Sequence, residues 1–461
     1  MRFNSYEFLL FFAVFLAVAP LFRGRARHGL LLGASYLFYA TWNPPFVLLL
    51  LFSTVLDFVC GPRIARANSA TRKKLWLAVS LLGNLGVLFY FKYGNFFLEN
   101  VAFIAGVDAE PFYLDVVIPL GISFYTFQSM SYSLDMYRGN TEPCERFLDF
   151  ALYVTFFPQL IAGPILRAAE FMPQLRRTEP VTQAEVLRGV ELFLLGLFKK
   201  VVVADNLAIL VDRVFESPGN YSGAAVTLAA WAFWVQIYCD FSGYSTMARG
   251  LASILGFKLP RNFDSPQLRH NPILYRRSWH ITMGNWFTDY IYKPLGGSRV
   301  GDARFAFNIM VTWTALGLWH GAAWNFVLWG AYNGLILAVY SVVMRRKKWA
   351  LPAFRGKLFL GWLINVAMLL FSSVLFRAQS ASDAWVMVQK LFQWAPGTAV
   401  AGEWFFLLCV LLAIHAFCFW NYREDLFQRL GWPGRVLVAS GMVSLIAALG
   451  AAGRPFLYFQ F

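Results

Sequence analysis

Charge is scarce in this sequence. Asp, Glu, Lys and Arg make up 14% of its 461 residues while 58% are apolar, whereas a soluble domain is about half apolar and about a quarter charged. A chain solvated mainly by water is thereby excluded. Cysteine is scarce as well: of the five, Cys60, Cys239, Cys409 and Cys418 lie within or beside apolar runs and none forms a CxxC or Cys/His cluster. Neither a disulfide framework nor a structural zinc site is expected. Internal repeats and Ser/Gly- or Pro-rich linkers are missing, which argues against solenoids and flexible multidomain arrays. There is no GxSxG elbow, Walker-type phosphate loop, GxGxxG after a strand, or HExxH metal site.

What is present is a succession of apolar stretches, many approaching the roughly 20 residues that cross a bilayer core as helix. Membrane helices, or parts of them, are predicted at Tyr6–Phe22, Gly29–Ala40, Phe46–Val59, Leu75–Phe91, Val116–Tyr132, Val186–Ala204, Ala224–Ile237, Ala323–Met344, Leu358–Phe376, Trp404–Trp420 and Val436–Ala451. The polar intervals are short, so 1–461 reads as one all-α polytopic membrane domain, with N-terminal helices in 1–110, a core in 111–345 and C-terminal helices in 346–461. Leu148–Ile161 and Phe305–Trp319 are shorter or interrupted by Pro and Gly. Such breaks are tolerated in a membrane only where protein or a water-filled cavity satisfies the freed backbone, so both are expected to be re-entrant.

The formal charge of +15 invites a nucleic-acid surface, but the basic residues alternate between loops instead of massing. Arg23, Arg25 and Arg27 follow the first span, Arg63, Arg66, Arg72, Lys73 and Lys74 the third, and the loop after the fourth carries Glu99, Asp108, Glu110 and Asp115. The positive-inside rule then places the N-terminus outside the cytoplasm, Arg345–Lys348 inside, and the tail Arg454–Phe461 outside. Arg23, instead of a small-residue cleavage site, follows the first span, which reads as a retained helix.

Polar residues concentrate in the middle third, where at membrane depth they mark a buried site or pathway. In Leu318-Trp319-His320-Gly321-Ala322-Ala323-Trp324-Asn325 a histidine sits where two apolar stretches meet. An imidazole takes and returns a proton near neutrality, as activation of a hydroxyl for attack on an acyl group requires; a structural histidine bonded to a carbonyl is the alternative. A second, His280, lies in Arg276-Arg277-Ser278-Trp279-His280-Ile281-Thr282-Met283-Gly284-Asn285-Trp286, a segment too polar to span and lacking a wide apolar stripe. It predicts an interfacial helix dipping toward a cavity, with an aromatic-belt anchor as the alternative. Gly121–Gln128 and Gln236–Tyr244 mix aromatic and polar groups and suit either a tunnel lining or helix-packing glue. Asp240 needs a partner or water, as a structural ion pair or as an orienting group.

Taken together and in this order, Ser278-Trp279-His280 to Gly296-Gly297, Trp319-His320-Gly321 with Trp329-Gly330, Phe156-Phe157-Pro158-Gln159 with Ala162-Gly163-Pro164-Ile165, Tyr238–Tyr244 and the closing Pro455–Phe461 resemble the membrane-bound O-acyltransferase superfamily, in its alginate O-acetyltransferase membrane-component type. The resemblance implies a ring of about 11 or more membrane helices around a thin centre, and a funnel or tunnel reaching a histidine that matches His320, with His280 at the upstream polar position. It implies an acyl group, acetyl first among the candidates, drawn from a cytoplasmic thioester (acetyl-CoA, a longer acyl-CoA or an acylated carrier protein) as substrate and not as a tightly bound cofactor, and delivered outside the inner membrane. The family acylates polysaccharides, teichoic acids, proteins or lipids, and an exported polysaccharide such as alginate is the acceptor expected here. A separate periplasmic or extracellular SGNH-like acetyltransferase would be its partner alongside membrane lipid, since this chain has no Ser/His/Asp hydrolase module. No metal and no nucleic acid are implied.

The residues expected to carry the chemistry are His320 and His280, supported by Asp240, Asn325, Trp319, Trp279, Asn285, Gln128 and Tyr244. Two other classes remain open on residues alone. One is a transporter or flippase using the same polar belt as a pathway. The other is a non-catalytic scaffold of a polysaccharide-export complex, docking through Phe456–Phe461.

Overall fold

The computed structural model describes residues 1–347, 355–393, 396–400, 402–403, 406–407, 409–410, 413, 426–450 and 454–457. Among them the chain is helical, with one isolated parallel bridge between Tyr221 and Thr398. Six helical runs are long and apolar enough to cross a bilayer: Pro44–Ala65, Ala70–Ala105, Gly223–Ile254, Trp324–Arg346, Leu358–Arg377 and Trp432–Leu449. The chain is a polytopic membrane protein. The expected span Trp404–Trp420 falls largely outside the described residues. Two compact units divide the chain, one formed by Met1–Phe193 with Tyr244–Pro260 and the other by Leu194–Gly243 with Arg261–Phe461.

The first unit holds α1 (Tyr6–Val18), α2 (Gly24–Ala40), α3 (Val47–Ala65), α4 (Ala70–Leu88), α5 (Gly94–Ala105), α6 (Ile122–Arg138), α7 (Phe147–Thr155) and α8 (Ala168–Leu175). Hydroxyls start two of them, the Ser5 and Ser69 oxygens accepting from the Phe8 and Arg72 amides at 3.3 Å each, as N-caps do. Phe8, Phe12 and Phe15 fall on one face of α1 and are buried, packing on Phe157, whose ring centroid lies 6.1–6.5 Å from theirs. A π-helical turn, Phe89–Tyr93, joins α4 to α5, so the expected span Leu75–Phe91 is one part of a 36-residue run.

Two expectations are corrected in this unit. The segment Val116–Tyr132 is not helical before Ile122: Pro119 interrupts it, and Gly121 holds φ +74° where an added Cβ would lie 3.1 Å from the Ile161 Cα. From there α6 runs on to Arg138, past the polar residues at which an apolar-span reading stops. Those residues are buried and bonded inside the protein. Asp57 of α3, fully buried, accepts from Asn84 and Ser133 at 2.8 Å each, and from Ser80 and Ser129. This carboxylate ties α3, α4 and α6 together. Leu148–Ile161 does break as expected: α7 ends at Thr155, turns follow, and the freed Phe157 amide donates to Ser35 Oγ at 3.1 Å.

The helix α9 (Gln183–Phe198) passes from the first unit into the second, where it continues as a π-helical segment, Lys199–Ala204, into α10 (Asp205–Glu216). The expected stop at Ala204 is therefore absent. α11 (Gly223–Ile254) contributes to both units, up to Gly243 in the second and from Tyr244 in the first. Its apolar window is 83% buried, so it is an interior helix that tolerates the polar cluster Gln236–Tyr244, and it runs well past the expected end at Ile237.

The second unit also contains α12 (Pro272–Ser278), α13 (Ile281–Phe287), α14 (Asp302–His320), α15 (Trp324–Lys347), α16 (Arg355–Arg377), α17 (Ala381–Gln393) and the helix Trp432–Leu449. Phe305–Trp319 was expected to be interrupted. Instead it lies within the unbroken 19-residue α14, because Gly317 serves close packing and not a break. A Cβ on Gly317 would come within 2.9 Å of the Gly330 Cα, and one on Gly330 within 3.1 Å of the Gly317 Cα. Paired small residues let membrane helices approach backbone to backbone.

Candidate active site

The segment around His280 is not one interfacial helix. Asn271 caps α12 by accepting from the Leu274 amide at 2.9 Å, with Pro272 in the first turn, an arrangement that favours a helix start. α12 then stops at Ser278, and His280 adopts a left-handed backbone, φ 43° and ψ 55°, as only Ser265 otherwise does among the described non-glycine residues. Such a conformation needs outside support. Asn262 supplies it: its carbonyl accepts from the Ile281 amide at 2.8 Å, and its side-chain oxygen from the Thr282 amide at 3.2 Å and hydroxyl at 2.8 Å. The next helix, α13, therefore starts in a new direction with His280 at the corner.

His320 is the last residue of α14 and is buried. Its ring stands edge-on to Trp329 and Phe376, with centroids at 5.0 and 5.2 Å, and 4.9 Å from Trp319. On its other side Trp319 stacks on His280 at 6.0 Å. The indole thus stands between the two imidazoles. Phe241 packs on His280 at 4.6 Å; this apolar burial, outside the six apolar runs, pushes the His280 pKa down and holds its ring neutral.

Both histidines line one cavity of about 110 Å³, several times the space a single water requires. Most of its wall is aromatic or aliphatic, including Trp279, Trp329 and Phe376; its polar groups include Arg276, Thr312, Asn333 and Ser372. Asn333 and Ser372 are bonded to each other at 2.9 Å, and Thr312 donates to the Asn308 carbonyl at 2.6 Å. An apolar pocket with few convergent polar groups is the usual form of a ligand site.

The other expected residues divide. Trp279 lines the cavity and stacks on Tyr275 at 5.7 Å. Asn285 is exposed and does not line the cavity, because the corner at His280 redirects α13. Asn325, in the first turn of α15, is also outside the lining. Gln128 and Tyr244 belong to the first unit: the Gln128 amide donates to the Tyr153 carbonyl at 2.5 Å and Tyr244 stacks on Phe3 at 4.8 Å, which makes both of them packing residues.

Asp240 has the structural ion pair that was one of its two readings. Its Oδ1 accepts from Lys200 Nζ at 2.6 Å and its Oδ2 from the Leu457 amide at 2.9 Å. Lys200 also meets Asp205 at 2.8 Å, the Pro455 carbonyl at 3.0 Å and the Phe456 ring at 4.6 Å, and Arg454 pairs with Asp212 at 2.6 Å. Residues 454–457 are thus tied into their own chain, with Phe456 and Leu457 buried. Of the docking element Phe456–Phe461 offered by the scaffold reading, Phe456 and Leu457 are buried in their own chain, and 458–461 lie outside the described residues. Sequence reasoning missed Lys200 and the cavity position of Arg276, and counted Asp205 and Asn262 only among the polar residues of the middle third. The signal for Lys200 was a pair of lysines, Lys199 and Lys200, set inside an apolar stretch just before three valines.

A model of the membrane-bound O-acyltransferase family matches residues 145–380, which includes both histidines and the cavity. The chain is 39% identical over 397 residues, 85% of its length and 75% of the relative's, to "Probable alginate O-acetylase AlgI" of Pseudomonas aeruginosa, and 38% identical over 403 residues, 86% and 79%, to the protein of that name in Azotobacter vinelandii. It is 33% identical over 487 residues, 93% of its length and 90% of the relative's, to "Peptidoglycan O-acetyltransferase" of Helicobacter pylori. These matches supply both the class and the family. The chain belongs to the membrane-bound O-acyltransferase family and is an O-acyltransferase.

Proposed function

We propose that this enzyme passes an acetyl group from a cytoplasmic thioester, acetyl-CoA or another, across the inner membrane for O-acetylation of an exported polysaccharide, of the alginate kind. The observation that carries the reading is the His320 imidazole at the wall of a small apolar cavity. His320 takes the proton from the attacking hydroxyl as its oxygen forms a bond to the thioester carbonyl carbon. The carbon–sulfur bond then breaks, and the proton passes from the imidazolium to the leaving thiolate. General-base assistance of this kind is worth about 10²–10⁴ in rate. His280, held neutral, does not compete for that proton; it positions His320 through the intervening Trp319 ring. The O-acetylase and O-acetyltransferase names of the relatives favour acetyl as the transferred group.

The names of the relatives support a polysaccharide or glycan acceptor, and the absence of a hydrolase triad in this chain supports a separate SGNH-like acetyltransferase outside the membrane as the finishing partner. The loop charges support an N-terminus outside the cytoplasm.

The test is transfer of labelled acetyl from acetyl-CoA in inside-out membrane vesicles, comparing the intact chain with His320→Ala at matched, monodisperse expression. Label leaving the coenzyme only with the intact chain is the expected result. Equal transfer by both removes His320 from the mechanism.

A further inference from the structure

Arginines of the second unit with little exposed side-chain surface take carboxylate partners: Arg269 meets Asp264 at 2.6 Å and Arg377 meets Asp212 at 2.9 Å. Arg276 differs. Its Nη2 donates to the Gly284 carbonyl at 3.2 Å and to the Thr288 hydroxyl, both neutral acceptors, and among the described residues no Asp or Glu forms an ion pair with it. The acids on either side along the chain, Asp264 and Asp289, pair with Arg269 at 2.6 Å and with Lys293 at 2.7 Å. Yet Arg276 is half-buried and lines the same cavity as His280 and His320.

A guanidinium carries five N–H donors and stays charged in a protein. Taking that charge out of water without a counter-charge is costly, and Arg277 beside it adds a like charge. The remaining donors are therefore available to an anion entering from the cavity. A planar guanidinium binds phosphate and carboxylate with charge-assisted hydrogen bonds about twice as strong as neutral ones.

We propose that Arg276 holds an oxyanion group of the substrate while its acyl or hydroxyl end reacts at His320, so that this site selects an anionic substrate. The inference rests on the acyl-transfer reading above and adds the substrate's charge to it. Two sources offer that chemistry: the phosphate of a pantetheine-bearing thioester donor, and the carboxylate of a uronic-acid acceptor.

Binding separates this inference from the catalytic reading, because it is measured without turnover. Coenzyme A and a short oligouronate are titrated against the full chain in detergent, followed by tryptophan fluorescence. Pantetheine without phosphate and the methyl-esterified oligouronate serve as uncharged counterparts. Arg276→Gln is expected to weaken one charged probe by about 10- to 100-fold and to leave its uncharged counterpart unchanged; the probe affected identifies the source as donor or acceptor. Arg276→Lys, which keeps the charge and loses the fork, is expected to weaken it less and covers the case in which the glutamine variant does not fold. Arg277→Gln, exposed and outside the cavity lining, is expected to bind as the parent does. The proposal is overturned if the parent binds neither charged probe more tightly than its uncharged counterpart, or if the Arg276 variants bind both as the parent does.

Discussion

Replacing Lys200 by methionine removes the cation that, among the described residues, pairs with both Asp205 and Asp240. The Lys200 side chain is 1% exposed and each carboxylate 3%, so solvent screening does not reduce the effect as it does at a surface. Breaking a buried pair costs about 3–5 kcal/mol because it leaves an uncompensated buried charge, and Lys200→Met leaves two carboxylates that also repel. Asp240→Asn leaves Lys200 its 2.8 Å contact with Asp205 and an amide oxygen for the Leu457 N–H, so its cost is nearer that of one charged hydrogen bond, about 1.5–3 kcal/mol. The expected order is Lys200→Met well below Asp240→Asn, with the neutral combination Lys200→Met, Asp205→Asn and Asp240→Asn recovering much of the loss. Thermal unfolding of the detergent-solubilised chain reads the order, and chymotryptic cleavage after Phe456, buried in the intact chain, reads release of residues 454–457. Equal stability of Lys200→Met and Asp240→Asn, with Phe456 equally protected, would refute the reasoning.

Gly317→Ala should force α14 from α15, costing about 1–3 kcal/mol and lowering acyl transfer because His320 is three residues on; Gly33→Ala, where nothing lies within 4 Å of the added Cβ, should change neither unfolding temperature nor rate. Asp57→Ala should take an acceptor from four buried donors, of which Asn84 and Ser129 keep a backbone carbonyl, and cost about 3 kcal/mol, whereas Asp57→Asn keeps one acceptor oxygen and should cost less; the yield of monodisperse protein and its unfolding midpoint rank the two. Hydrogen bonds from Arg177, then the Thr182 amide and hydroxyl, pull Glu185 at the head of α9 from its ordinary 4.5 down to about 2. A depressed carboxyl stabilises fully above its unfolded pKa and loses that contribution as pH falls from about 4.5 through about 2. The difference in unfolding temperature between the parent and Glu185→Gln should shrink over that window, from a modest starting value, since both side chains are 24% exposed.

The helical class and the two histidines were legible because they depend on local signals: long apolar runs, and Trp-His pairs in an otherwise apolar chain. What failed depended on pairing. Gly317 reads equally as an interruption or as a contact point, and only the position of Gly330 opposite it decides. Asn285 and Asn325 were grouped with their neighbouring histidines by proximity along the chain, but a left-handed residue at His280 breaks the helical phase on which such grouping relies. Asp240 showed that it needed a partner, while its partner lay 40 residues away and its second bond 217 residues away, distances at which a single sequence carries no pairing signal. Arg276 was hidden by ordinariness, since a basic pair beside aromatic residues resembles a membrane-surface anchor until the cavity is seen.

The docking of residues 454–457 has a temporal consequence. Lys200 and Asp240 leave the ribosome long before Pro455 and Leu457, so the second unit must enter the membrane with this polar knot incomplete. Its last hydrogen bonds form only when Leu457 has been made. Completion of this charge cluster thus waits on synthesis of residues 455–457, and a chain broken off before them keeps the cluster unfinished in its interior.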